Sequence, residues 1–210
     1  MQNRFRGVYL VTDRPLCLHH SLEEVVQLSA SGGVSLVQLR EKETTSREFL
    51  ALAIHLKDIL TPFQVPLLIN DRVDLCLASG ADGVHLGQSD LPWPEARKLL
   101  GKNAIIGLSI ETKEDFETLQ KEHPNPSLDY LAVSPVFATP TKTNTKEALG
   151  LAGVRWLREN SNLPVVAIGG INATNAKEVI EAGADMVAVV SAICSAKDPK
   201  EATESLRKLF

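Results

Sequence analysis

Short apolar runs alternate with longer amphipathic stretches from one end of the chain to the other. Val8–Val11, Val34–Leu39, Pro66–Ile69, Gly83–Leu86, Ala104–Leu108, Tyr130–Val133, Val165–Ile168 and Met186–Val190 read as strands. Each is nearly continuous in apolar residues, the pattern of a strand buried on both faces. Between them, Ser21–Ser31, Ser46–Leu60, Val73–Ser79, Pro92–Leu100, Thr112–Glu122, Leu151–Asn160, Asn172–Ala182 and Pro199–Leu209 read as helices. Their starts are marked: Ser21 has Glu24 three residues on, Thr112 has Asp115, and Pro92 and Pro199 suit first-turn positions.

The punctuation repeats as well. Ser79-Gly80-Ala81-Asp82-Gly83-Val84 resembles Glu181-Ala182-Gly183-Ala184-Asp185-Met186-Val187, and Ser31-Gly32-Gly33-Val34 is a weaker copy. Each places glycine at a helix end just before a buried strand. Eight strand-then-helix units predict a parallel sheet covered by helices, closed as a single (β/α)8 barrel domain over residues 1–210. The competing doubly wound sheet needs a glycine-rich turn after its first strand, where this chain has Thr12-Asp13-Arg14-Pro15.

Composition narrows the partners. The 210 residues are 44% hydrophobic and 23% charged, with a net charge of −4. That balance argues against general nucleic-acid or anionic-membrane binding, so local basic clusters should have small anionic partners. No stretch approaches the roughly 20 apolar residues of a membrane span, and none resembles a signal peptide. Cys17, Cys76 and Cys194 show neither metal-ligand spacing nor a disulfide framework and read as reduced thiols of a cytoplasmic protein. The reading leaves room for a homo-oligomer.

In a (β/α)8 barrel the active site forms from the loops after the strands. Here the chemically capable residues gather there. The second strand runs into Gln38-Leu39-Arg40-Glu41-Lys42. Side chains alternate along a strand, so Gln38, Arg40 and Lys42 share one side, suited to a phosphate or diphosphate. The alternative is a solvated strand end whose cations pair with Glu41 and Glu43. Asn70-Asp71 follows the third strand, and His85-Leu86-Gly87-Gln88-Ser89-Asp90 ends the fourth. Asp71 and Asp90 can meet above the rim as ligands of Mg²⁺, or each can cap the helix that follows. His85 lies within the strand pattern and reads as a hydrogen-bonded buried or rim histidine, the alternative being an acid–base or ligand role.

Ser109 is expected just after the fifth strand, at the rim. After the sixth comes an unusually long loop holding Thr139, Thr141 and Lys142, residues able to hold a phosphate or a leaving group. Ile168-Gly169-Gly170-Ile171 and Val189-Val190-Ser191 follow the last two strands, a frequent phosphate position in this fold. Two anion sites at one barrel mouth imply two small phosphorylated substrates.

Six segments in order, Gln38-Leu39-Arg40-Glu41-Lys42, Asn70-Asp71, His85 through Asp90, Thr139-Pro140-Thr141-Lys142, Ile168 through Ile171 and Val190-Ser191, resemble the thiamine phosphate synthase family. The resemblance runs from the first strand to the last helix. It implies a transferase that joins an aminopyrimidine-methyl diphosphate to a thiazole phosphate, or its carboxylated form, by a dissociative route that releases diphosphate. It implies that Gln38, Arg40, Lys42, Asn70, Ser109 and Lys142 hold the pyrimidine diphosphate, with Arg40 and Lys142 as catalytic groups. It assigns Mg²⁺ to Asp71 and Asp90, and the thiazole phosphate to Thr139, Thr141, Gly169, Gly170, Val190 and Ser191. The chain departs from the family pattern at Glu111, where many members have histidine, and at Ala138, where many have proline. Two other readings are a thiazole tautomerase and a catalytically silent paralogue that binds a thiamine-related ligand. The tautomerases use a histidine in the sixth-strand segment, which here reads Ser134-Pro135-Val136-Phe137.

Overall fold

The structure, a computed structural model, describes residues 5–138 and 147–210. Eight parallel strands close into a barrel in chain order. They are β1 (Gly7–Val11), β2 (Leu36–Leu39), β3 (Leu67–Asn70), β4 (Gly83–Leu86), β5 (Ile105–Ile110), β6 (Tyr130–Val133), β7 (Val165–Ile168) and β8 (Met186–Val189), and β8 pairs back onto β1. The helices are α1 (Leu22–Ser31), α2 (Ser46–Leu60), α3 (Val73–Ser79), α4 (Trp93–Leu100), α5 (Lys113–Glu122), α6 (Gly150–Asn160), α7 (Ala176–Glu181), α8 (Ser191–Cys194) and α9 (Pro199–Arg207).

The strands are continuously apolar because both of their faces are buried. One set of side chains, including Tyr9, Leu36, Leu68, Ile105, Tyr130, Val166 and Met186, fills the barrel interior. The alternate set, including Leu10, Val37, Ile69, Val84, Ile106 and Val187, packs beneath the helices in a larger cluster. The two predicted capping boxes form at Ser21/Glu24 and Thr112/Asp115, and a third, Thr45/Glu48, opens α2.

Several boundaries move, each for a local reason. β2 starts at Leu36, because Val34 donates its N–H back to Ser29 in the turn that follows α1. β5 runs on to Ile110, so Ser109 lies inside a strand and is buried rather than standing past its end. α7 begins only at Ala176, because Asn172 and Asn175 first close a side-chain turn: Asn172 N–H donates to Asn175 Oδ1 at 2.9 Å. The single turn of α8 is too short to leave a periodic trace in the sequence.

The N-terminal end of the barrel carries a repeated latch. Asp82, Asp129 and Asp185 stand just before β4, β6 and β8. Their Oδ2 atoms accept the N–H groups of Leu67, Ile106 and Val165 at 2.9, 2.9 and 2.8 Å. Each Asp N–H in turn donates to the carbonyl of the same residue. Lys57, Arg97 and Arg158 pair with the three carboxylates at 3.6, 2.8 and 3.0 Å. These aspartates satisfy strand ends, so the Gly-Ala-Asp repeat in the sequence is a structural device.

Candidate active site

The C-terminal end opens into a cavity of about 540 Å³. Gln38, Arg40 and Lys42 all line it, whereas Leu39 packs into the outer core and Glu41 pairs with Arg14 at 3.1 Å. The alternation of β2 and its continuation therefore sorts this segment by face. Arg40 is anchored to the loop after β1: its Nη1 donates to Asp13 Oδ2 at 3.0 Å and its N–H to Thr12 Oγ1 at 3.0 Å. Asp13 was not among the candidates from sequence, since its partner lies 27 positions away.

Asn70, Asp71, Asp90, Ser109, Gly169, Gly170, Val190 and Ser191 line the same cavity, as does Glu111. Thr139, Thr141 and Lys142 lie outside the described residues. The Gly169–Gly170 pair has positive φ values of 108° and 65°. Side chains there would also strike the segment after β6, with a Cβ on Gly169 only 2.6 Å from Pro135. Glycine is thus required both by the backbone and by the close approach of that segment.

Neither aspartate caps a helix. Arg72 and Pro92 occupy the N-cap positions of α3 and α4, and neither helix has a side-chain cap. Asp90 instead is oriented by Gly87, whose N–H donates to its Oδ2 at 2.7 Å. Asp71 adopts a left-handed backbone, φ 62°, an uncommon and costly conformation for a non-glycine residue. Burial and the hydrogen bond and charge of Asp90 push the Asp71 carboxyl up to about 7, against the opposing pull of Asn70 and Lys42. Two acidic side chains set this close, one of them raised by its neighbour, suit a hard divalent cation. Among the described residues no group of three or more His, Cys, Asp or Glu side chains could hold a metal. Asp71 and Asp90 are the donor set that could hold a hard cation such as Mg²⁺, which takes one or two carboxylates and completes its shell with water and phosphate oxygens.

The cavity floor was missed by sequence reasoning. Tyr9 and His85 also line the cavity, and with the buried Tyr130 they form a hydrogen-bonded chain between Gln38 and Ser109. The tyrosines sit in apolar strands and read as core. The signal was positional: Tyr9, Gln38, His85, Ser109 and Tyr130 all belong to the inward-facing set of their strands, polar-tipped residues among the mainly apolar side chains that fill the interior.

Fold and cavity define a (β/α)8-barrel protein whose mouth is polar, carboxylate-bearing and cationic on one side. The family model described as thiamine monophosphate synthase matches residues 8–193, and the chain belongs to that family. It is 82% identical over 210 residues to the thiamine-phosphate synthase of Leptospira biflexa serovar Patoc, covering all of both chains. It is 53% identical over 203 residues to that of Albidiferax ferrireducens, covering 97% of this chain and 91% of the relative. Among solved structures it resembles the thiamine phosphate pyrophosphorylase of Pyrococcus furiosus, with a TM-score of 0.87, 36% identity and coverage of 100% and 97%. A 3-hexulose-6-phosphate synthase shares the fold alone, at 18% identity and a TM-score of 0.71.

Proposed function

We propose that this chain is a Mg²⁺-dependent thiamine-phosphate synthase. It transfers the 4-amino-2-methyl-5-pyrimidinylmethyl group from its diphosphate to a thiazole phosphate, giving thiamine phosphate and diphosphate. The observation that carries the reading is the Asp71–Asp90 pair set beside Arg40 and Lys42 in one cavity. That combination is the chemistry of a metal-bound diphosphate.

Arg40, fixed by Asp13, and Lys42 would hold diphosphate oxygens and oppose the negative charge that grows as the carbon–oxygen bond breaks. When bound by Asp71 and Asp90, Mg²⁺ would supply further charge neutralisation of the leaving group. An electron-rich aminopyrimidine bears the cation left at its methylene, and the thiazole nitrogen then traps it. No enzyme nucleophile is required. Gln38, Asn70 and Ser109 would orient the pyrimidine from the floor. Thr139, Thr141, Gly169, Gly170, Val190 and Ser191 would hold the thiazole phosphate, and Lys142 would act with Arg40 on the leaving group. The tautomerase and silent-paralogue readings are disfavoured by relatives that carry the synthase name over their full length and by the presence of both aspartates.

The test is product formation from both substrates, followed by chromatography of thiamine phosphate. Turnover should require a divalent metal and stop in EDTA; absence of product under every metal tried would overturn the synthase reading.

A further inference from the structure

The hydrogen-bonded chain under the cavity crosses five strands. Gln38 Nε2 donates to Tyr9 OH at 2.5 Å. Tyr9 OH lies 3.0 Å from Tyr130 OH, Tyr130 OH 2.9 Å from His85 Nδ1, and His85 Nε2 2.9 Å from Ser109 Oγ. The chain is built into the core. The Tyr130 ring stacks on His85 with 13° between planes, and a Cβ on Gly107 would fall 2.0 Å from that phenol, so only glycine admits it.

Proton counting gives the chain a direction. An amide nitrogen can only donate, and each hydroxyl has one proton to give. Tyr9 OH accepts from Gln38, and because this phenol is buried and Tyr130 OH is the one acceptor among its partners in the described residues, its own proton goes to Tyr130. Tyr130 then gives its proton to His85 Nδ1, which must present a lone pair. His85 is therefore the neutral imidazole with its proton on Nε2, and it donates to Ser109. The Ser109 hydroxyl, already an acceptor, keeps its proton for the cavity. An imidazolium at His85 would leave one phenol proton inside the barrel with no acceptor in the chain, an expensive arrangement. Burial holds both phenols well above the ordinary tyrosine range, so the chain keeps its protons.

We infer that Tyr9, Tyr130 and His85 are positioning residues that lock Ser109 as a hydrogen-bond donor toward the bound heterocycle. The inference rests on the proposed function for the ligand, an aminopyrimidine whose ring nitrogens are acceptors. It makes the sense of recognition at Ser109 a property of the whole barrel floor. A heterocycle offering only a donor at that point would be rejected.

The test has a spectroscopic and a kinetic arm. In histidine-¹⁵N-labelled protein, the His85 resonances are assigned by their loss in His85→Gln. Wild type should show a protonated Nε2 and an unprotonated Nδ1. Tyr130→Phe keeps the ring but removes the donor to Nδ1, and the two nitrogens should move toward averaged tautomer shifts. In the kinetic arm, Tyr130→Phe and Ser109→Ala should each raise KM for the pyrimidine diphosphate ~10-fold, the effect of one lost hydrogen bond. KM for the thiazole phosphate should not change. The double variant should lose little more than either single one. Tyr9→Phe breaks the chain one link earlier and should reproduce the Tyr130→Phe spectrum if that variant folds poorly. A proton on Nδ1 in wild type, or fully additive losses in the double variant, would overturn the inference. The spectrum needs no turnover. Product formation with the wrong tautomer therefore sinks only the inference, and the right tautomer without product sinks only the synthase reading.

Discussion

At the N-terminal end of the barrel, Asp82, Asp129 and Asp185 each accept a strand N–H and each have a lysine or arginine beside them. At the C-terminal end, Asp71 and Asp90 face one another, and among the described residues neither forms an ion pair. The residue type is the same and the energetics are opposite. A carboxylate closed by a cation and a backbone donor holds strands together with its charge already compensated. Two carboxylates pressed together, one of them on a left-handed backbone, are a standing cost within the protein alone. On the proposed function, a bound cation would recover that cost. One end of this barrel is finished by its own side chains; the other, on the proposed function, would be completed by its ligand.

The comparison breaks most visibly at Asp90. Asp90→Ala should lower kcat/KM by about 10²-fold or more while leaving the thermal midpoint close to that of wild type. The mirror substitution, Asp129→Ala, should do the reverse. It leaves the N–H of Ile106 without its acceptor and takes the carboxylate from Arg97, whose remaining bonds go to the Gly101, Ala104 and Ser127 carbonyls, and should cost about 1–2 kcal/mol of stability in urea titrations with kcat preserved.

A smaller effect follows from protonation. The folded Asp71 carboxyl lies near 7, above its unfolded value of about 3.9, so the folded metal-free protein binds the extra proton between those limits. Stability from this group is therefore greatest at low pH and declines as pH rises from about 4 to 7. In metal-free protein the thermal midpoint should fall by a few degrees over that span relative to Asp71→Asn. Saturating Mg²⁺ should remove the difference. The smallest effect belongs to neither end: Thr45→Ala deletes a capping box on α2 and should cost about 1 kcal/mol with no change in kinetics.

Much of this was legible in the residues themselves. Continuous apolar runs such as Leu67-Leu68-Ile69 and Val165-Val166-Ala167 can be buried only between two layers, and eight of them separated by amphipathic stretches leave few architectures. The cationic side of β2 and the acidic pair after β3 and β4 were readable because polar residues at strand ends are out of place in a core. Ser109 was expected at the rim because the apolar run was read as ending at Leu108; pairing of Ile110 with Val133 carries the strand further. Tyr9 and Tyr130 were hidden for another reason. A tyrosine contributes apolar area and a polar tip together, and only the barrel's closure shows that both tips point at the same spot. Asp13 was likewise invisible until the loops after β1 and β2 were side by side.

The central claim is that the mouth aspartates, unlike those at the opposite end, form a cation site that works together with diphosphate. Its most direct measurement is Mn²⁺ titration followed by electron paramagnetic resonance, with and without inorganic diphosphate. The account predicts one ion per chain, bound more tightly when diphosphate is present, lost in Asp71→Asn and Asp90→Asn, and retained in Asp129→Asn. Equal binding in the Asp90→Asn protein, or no gain from diphosphate, would contradict it.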